Sequence, residues 1–140
     1  MKKLLLLLLL LNITIELNAQ LFTIGDSKKD VIKSIKSNLT LNNIIKETDT
    51  QFIYDTDIMA VIYNFDLDGK VAVISRFPYL TSKLINILYT LSSECELISN
   101  VQWKCTENNV DTSVELYTSQ QFIVLRTSLY VEGKHLWIKE

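Results

Sequence analysis

Glycine is scarce in this chain, with three among 140 residues. A phosphate-cradling loop needs several closely spaced glycines, so the usual nucleotide fingerprints are excluded. Histidine is scarcer: His135 stands alone. One imidazole cannot by itself build the usual transition-metal site. A hydrolytic triad on His135 would need a serine or cysteine and an orienting acid from elsewhere, and no G-x-S-x-G elbow supplies that nucleophile. Basic charge is neither abundant nor clustered, with 14 Lys and Arg against 16 Asp and Glu. Nucleic acid, which demands concentrated Lys and Arg, is excluded as a partner. Cysteine occurs twice and proline once.

What is abundant is leucine, at the start. Lys2 and Lys3 precede an unbroken apolar run over residues 4–11, then Asn12, Glu16 and small Ala19 before Gln20. That order describes a secretory signal peptide over residues 1–19, cleaved near Ala19. A membrane anchor is the competing reading, but a span needs about 20 apolar residues and would bury Asn12 and Glu16. No later segment is long and apolar enough to span, so no integral membrane segment is expected after cleavage. Residues 20–140 keep twelve basic against fifteen acidic side chains, net −3. They suit a single domain, periplasmic or secreted, with candidate halves at 22–77 and 78–140.

Export gives Cys95 and Cys105 a compartment where disulfides persist. A hairpin turning at Ser99, Asn100 and Val101 sets Cys95 opposite Cys105, Glu96 opposite Lys104 and Leu97 opposite Trp103. Strand alternation then places Leu97, Trp103 and both cysteines on one face. A disulfide is expected; two separate buried thiols is the alternative. A redox centre is disfavoured because the spacing is not C-x-x-C.

Further organisation follows from periodicity. Asp26 or Ser27 can cap a helix over about residues 27–38, with Val31, Ile32, Ile35 and Leu39 as its apolar stripe. Short strands are expected at Ile44-Ile45 and Phe52-Ile53-Tyr54, and stronger ones over residues 58–65 and 70–77. Asp68-Gly69 between the last two is the preferred chemistry of a type I′ turn. In that register Val61, Tyr63, Phe65, Ala72 and Ile74 share a face. After Pro78, the spacing of Leu84, Ile87, Leu88 and Leu91 predicts a second helix over about residues 81–93. Strands over 112–117 and 121–130, joined near Ser119-Gln120, align Val114 with Leu125 and Leu116 with Ile123. Residues 135–138 form a last strand or a docked tail. The pattern is α+β, an antiparallel sheet with two helices on one face, and its recurrence suggests a duplicated α-β-β-β unit.

The segment Ile24-Gly25-Asp26-Ser27-Lys28-Lys29-Asp30-Val31 resembles the helix start of exported domains in the small-protein-A, outer-membrane-assembly lipoprotein family. Those domains are similar in fold to a repeat of beta-lactamase inhibitory protein. Phe65-Asp66-Leu67-Asp68-Gly69-Lys70-Val71 resembles the hairpin that follows the helix there. The likeness covers roughly residues 22–75. This chain lacks the lipobox cysteine and the Gly-x-Pro segment of that family. The resemblance implies a binding scaffold; no functional residue is carried over from it.

The acidic positions favour turns over metal. Asp66-x-Asp68-Gly69 is similar to the start of a calcium loop, but the sixth position would be Val71 and the twelfth Phe77. Asp49, Asp55 and Asp57 read as solvated loop acids. Tyr54, Tyr63, Tyr79, Tyr117, Tyr130, Trp103 and Trp137 are strand-type residues that can also line an interface. No catalytic residue, metal or cofactor is expected. The expected function is non-catalytic binding of another envelope or extracellular protein, through the sheet face away from the helices. The alternatives are a secreted enzyme inhibitor using the hairpin of Asp66, Asp68, Gly69 and Lys70, and a small hydrolase or ligand-binding protein with a pocket near His135.

Overall fold

The computed structural model describes residues 23–38 and 43–132. The leader over residues 1–19, Leu39, His135, Trp137 and the expected last strand lie outside the described residues. Helix α1 (Lys28–Asn38) is followed by β1 (Ile44–Glu47), β2 (Gln51–Asp55), β3 (Met59–Phe65) and β4 (Val71–Pro78). Helix α2 (Thr81–Glu94) is followed by β5 (Glu96–Ser99), β6 (Gln102–Glu107), β7 (Val110–Thr118) and β8 (Ile123–Leu129). The class is α+β, dominated by sheet. Among the described residues the eight strands form one sheet, in the order β1-β2-β3-β4-β8-β7-β6-β5, and every pairing there is antiparallel. Each helix thus precedes a four-strand meander, one strand longer than the expected unit, and the meanders join through β4 and β8.

Two apolar clusters hold the sheet. Val31 and Ile35 of α1 are buried with Phe52, Tyr54, Val61, Tyr63, Val71 and Ile74. Leu91 of α2 is buried with Trp103, Val114 and Leu125, and Leu84, Ile87 and Leu88 border it. The strand members of both clusters occupy alternate positions. Through the register, Phe52, Tyr63, Ile74, Thr127, Val114, Trp103 and Leu97 form one continuous row. Period-two alternation therefore assigns the core to one face along the whole sheet.

The β3–β4 hairpin departs from a type I′ turn, which needs positive φ at two adjacent residues. Only Gly69 is left-handed there, at φ 69°. Asp66 dictates the alternative: its Oδ1 accepts from the amides of Asp68 (3.0 Å) and Lys70 (2.8 Å). Its carbonyl accepts from the Gly69 amide, closing a type I turn that ends in a left-handed glycine. The register then shifts between Asn64 and Phe65, making Ala72 an extra residue, so that Val71, and not Ala72 as expected, takes the core place opposite Phe65.

The β7–β8 register also departs, by two residues. Leu116 pairs with Leu125, and Val114 with Thr127. The cause is Ser119, whose Oγ accepts from the amides of Gln121 and Phe122 (both 3.1 Å) and folds four residues into the turn. A shift of two preserves the face of every side chain. The true two-residue turn with positive φ lies between β6 and β7, at Asn108 (φ 50°) and Asn109 (φ 64°).

Candidate functional site

The alternate strand positions, those outside both apolar clusters, carry a different chemistry. One row across the sheet reads Gln51, Asn64, Val73, Ser128, Ser113, Lys104 and Glu96. The neighbouring row reads Ile53, Ile62, Ser75, Arg126, Glu115, Gln102 and Ser99. Small and polar residues concentrate where β4, β8, β7 and β6 lie side by side.

The β6–β7 part of that region is wired by hydrogen bonds. Gln102 Nε2 donates to Ser113 Oγ at 2.9 Å and to Glu115 Oε1 at 3.4 Å. The Ser113 hydroxyl donates to the same Glu115 oxygen at 3.4 Å, and the Tyr117 hydroxyl donates to Glu115 Oε2. Arg126 stands directly across from Glu115 on β8. Further out, Lys104 Nζ pairs with Asp111 Oδ2 at 3.1 Å and lies 4.9 Å from the Tyr130 ring centre. Thr106 donates to Asp111 Oδ1 at 2.6 Å, so both carboxylate oxygens are engaged.

The electrostatics follow from this wiring. Partial burial, then the Glu115 carboxylate, pushes the Tyr117 phenol well above its ordinary value. Tyr117 is therefore a donor held in place by an anion. Burial pulls Arg126 below the usual guanidinium value, opposed by Tyr117 and Glu115. The Thr106 and Lys104 hydrogen bonds hold Asp111 below the usual carboxylate value. Charges of both signs are interleaved around buried polar groups: Ser75, Gln102, Ser113 and Ser128 are buried, and Lys104, Glu115, Tyr117 and Arg126 are the partly exposed groups beside them.

Of the residues singled out in sequence, Cys95 and Cys105 are joined in a disulfide, with Cα atoms 4.6 Å apart. The strands beside them show the expected pairings of Glu96 with Lys104 and Leu97 with Trp103. Asp66, Asp68, Gly69 and Lys70 lie together in the β3–β4 turn, where Leu67 at the tip is fully exposed. Asp49 meets Lys28 at 3.6 Å, and Asp55 accepts from the Tyr79 hydroxyl at 2.8 Å. Among the described residues, no three His, Cys, Asp or Glu side chains converge to hold a metal. Tyr54, Tyr63 and Trp103 are buried in the apolar clusters. Gln102, Ser113, Glu115 and Arg126 were not signalled by any motif; the available sign was a charged residue inside an apolar strand, as in Ile-Val-Leu-Arg126.

Comparison with family models, with curated proteins and with solved structures yields no match. No helix among the described residues is long and apolar enough to cross a membrane.

Proposed function

We propose that this chain is an exported, non-catalytic protein-binding module that meets its partner through the polar sheet face. In this reading residues 1–19 direct export and both helices cover the opposite face. The two helix-plus-four-strand halves are then copies of one unit. The partner is another envelope or extracellular protein.

The observation that carries the proposal is the network of Gln102, Ser113, Glu115 and Tyr117 on β6 and β7, in the half of the face that ends at β5, where Glu115 and Tyr117 are partly exposed and Gln102 and Ser113 hold them from within. The accessible part of this face is presented by Gln51, Asn64, Val73, Lys104, Glu115 and Arg126, all partly exposed. Its side chains are held before binding, which lowers the entropy cost of association. The disulfide is compatible with an oxidising, exported location.

A second reading has one observation in its favour. Leu67 projects from a turn fixed by Asp66 and tied to the start of α1, whose Lys28 amide donates to the Gly69 carbonyl at 2.9 Å. A rigid loop with an apolar tip is suited to blocking an enzyme cleft. Two substitutions separate the readings in a partner-capture assay on the exported full chain. Val73→Arg abolishes capture if the sheet face is the interface, and Leu67→Asp leaves it intact. The reverse pattern favours the inhibitor, and loss of capture by neither substitution defeats both.

A further inference from the structure

A cleft of about 160 Å³ opens on the side of the sheet opposite the polar network. Ile24, from the loop before α1, forms part of its wall, with Ile74 and Val114 beside it. Arg76 and Thr127 supply the polar part, and Glu107 lines it from the β6 end. Taking about 30 Å³ for each water in the liquid, the space holds about five waters. That is room for a small molecule only.

Arg76 decides the chemistry. It is half-buried on β4, and its Nη1 donates to Thr127 Oγ1 at 3.2 Å. The ion pairs among the described residues are Lys28–Asp49, Lys36–Glu47 and Lys104–Asp111, so no carboxylate there lies within pairing distance of Arg76. The phenols of Tyr54 and Tyr63 both feel the charge of Arg76. Burial raises both above their ordinary value, so at neutral pH neither is an anion. A guanidinium has five donors in a planar fork that matches a carboxylate, and partial burial makes an unpaired charge costly. Glu107, exposed on the lining, repels any anion in proportion to its charge, so a singly charged anion is disfavoured less than a multiply charged one such as phosphate. Ile24, Ile74 and Val114 offer apolar contact to a hydrocarbon body.

We propose that this cleft binds a small monocarboxylate with a short apolar body, its carboxylate forked on Arg76 beside Thr127. The site is independent of the protein-binding face, and either can fail without the other. The same chemical group occurs in a free small acid or at the end of a peptide.

The test is titration of the full, disulfide-bonded chain with isobutyrate, followed by methyl NMR. Saturable shifts are expected at Ile24, Ile74 and Val114, with none at Ile45 or Leu67. Isobutyramide, the neutral isostere, and Arg76→Gln protein with isobutyrate should each bind about tenfold more weakly or worse, as loss of a charged hydrogen bond requires. Equal binding of isobutyrate and isobutyramide by the unmodified chain overturns the proposal, as does the absence of saturable shifts. That comparison needs no variant, so it stands even where Arg76→Gln fails to fold. Acetylvalinate run in parallel separates the sources: tighter binding than isobutyrate marks a peptide terminus, and weaker binding marks a free acid.

Discussion

Cys95 and Cys105 face each other because the strands between them are in register, Glu96 with Lys104 and Leu97 with Trp103. The bridge ties the end of α2, where the Cys95 amide donates to the Leu91 carbonyl, to the second strand of the hairpin that follows. Both sulfur-bearing side chains border the cluster containing Leu91 and Trp103. A ten-residue separation closes a short loop, for which the loop-entropy relation gives about 3 kcal/mol. The double variant Cys95→Ser/Cys105→Ser should therefore lose about that much in urea unfolding. A loss below about 1 kcal/mol would show that local packing alone holds this hairpin.

The two kinds of turn give predictions of opposite sign. Gly69 at φ 69° has open space where a Cβ would go, so Gly69→Ala is penalised through the backbone alone. It should cost about 1 kcal/mol. Asn109 at φ 64° is the second left-handed residue of the β6–β7 turn, where glycine is preferred. Asn109→Gly should leave stability unchanged or raise it by a few tenths of a kcal/mol. Thermal melts of both variants check the pair, and a stable Gly69→Ala protein contradicts the turn assignment.

The second helix allows a test of its packing by contrast. Leu91 is buried with Trp103, Val114 and Leu125, whereas Tyr89 is 76% exposed on the same helix. Leu91→Ala should cost about 2–4 kcal/mol, and Tyr89→Ala no more than about 0.5 kcal/mol. Denaturation midpoints give both numbers. Equal effects would mean that the helix is docked by a different face.

Alkaline pH offers an independent check. Tyr54 and Tyr63 are raised by burial, and Tyr117 by burial and then Glu115. In the unfolded chain these phenols ionise near the ordinary value of about 10. Above that pH the unfolded state has released protons that the native state still holds, so stability falls as pH rises. Below about 10 both states are protonated and these groups give no pH dependence. Phenolate absorbance should show a late-ionising fraction that appears only with unfolding. Glu115→Gln should bring Tyr117 part of the way back, since burial remains. Ionisation of every tyrosine together near 10 in the folded protein would contradict the burial described here.

The local rules that worked in the sequence were those with strong chemistry in a short window. The helical spacing of Leu84, Ile87, Leu88 and Leu91 predicts a helix over 81–93, and Thr81–Glu94 is observed. The cysteine hairpin is legible because Glu96, Leu97, Trp103 and Lys104 all agree on one register. The Asp68-Gly69 reading failed in type because the carboxylate of Asp66, two residues earlier, captures the amides that define the turn. Ser119 shifts the last hairpin in the same way. Asn108-Asn109 escapes notice because two asparagines are a weaker turn sign than Asn-Gly.

The sites were harder to read than the fold. Arg76 and Thr127 are 51 residues apart in sequence and meet only because β4 pairs with β8. Glu115 and Arg126 come together only across β7 and β8, and Gln102 reaches Glu115 from β6. The network of Gln102, Ser113, Glu115 and Tyr117 lies within the single hairpin of β6 and β7, and no motif in that window marks it. That a second face lies away from the apolar residues follows from alternation, while the wiring required the register of β6 against β7.

The most direct test of the proposed function is site-specific photo-crosslinking in the native envelope or medium. A photoreactive side chain is placed either at Asn64, on the polar face, or at Tyr89, on the exposed side of α2. One discrete protein adduct from position 64, absent from position 89 and lost when Val73→Arg is added, is the result predicted here. An adduct from position 89 alone, or none from either at native abundance, would contradict the assignment of the polar face as the binding surface.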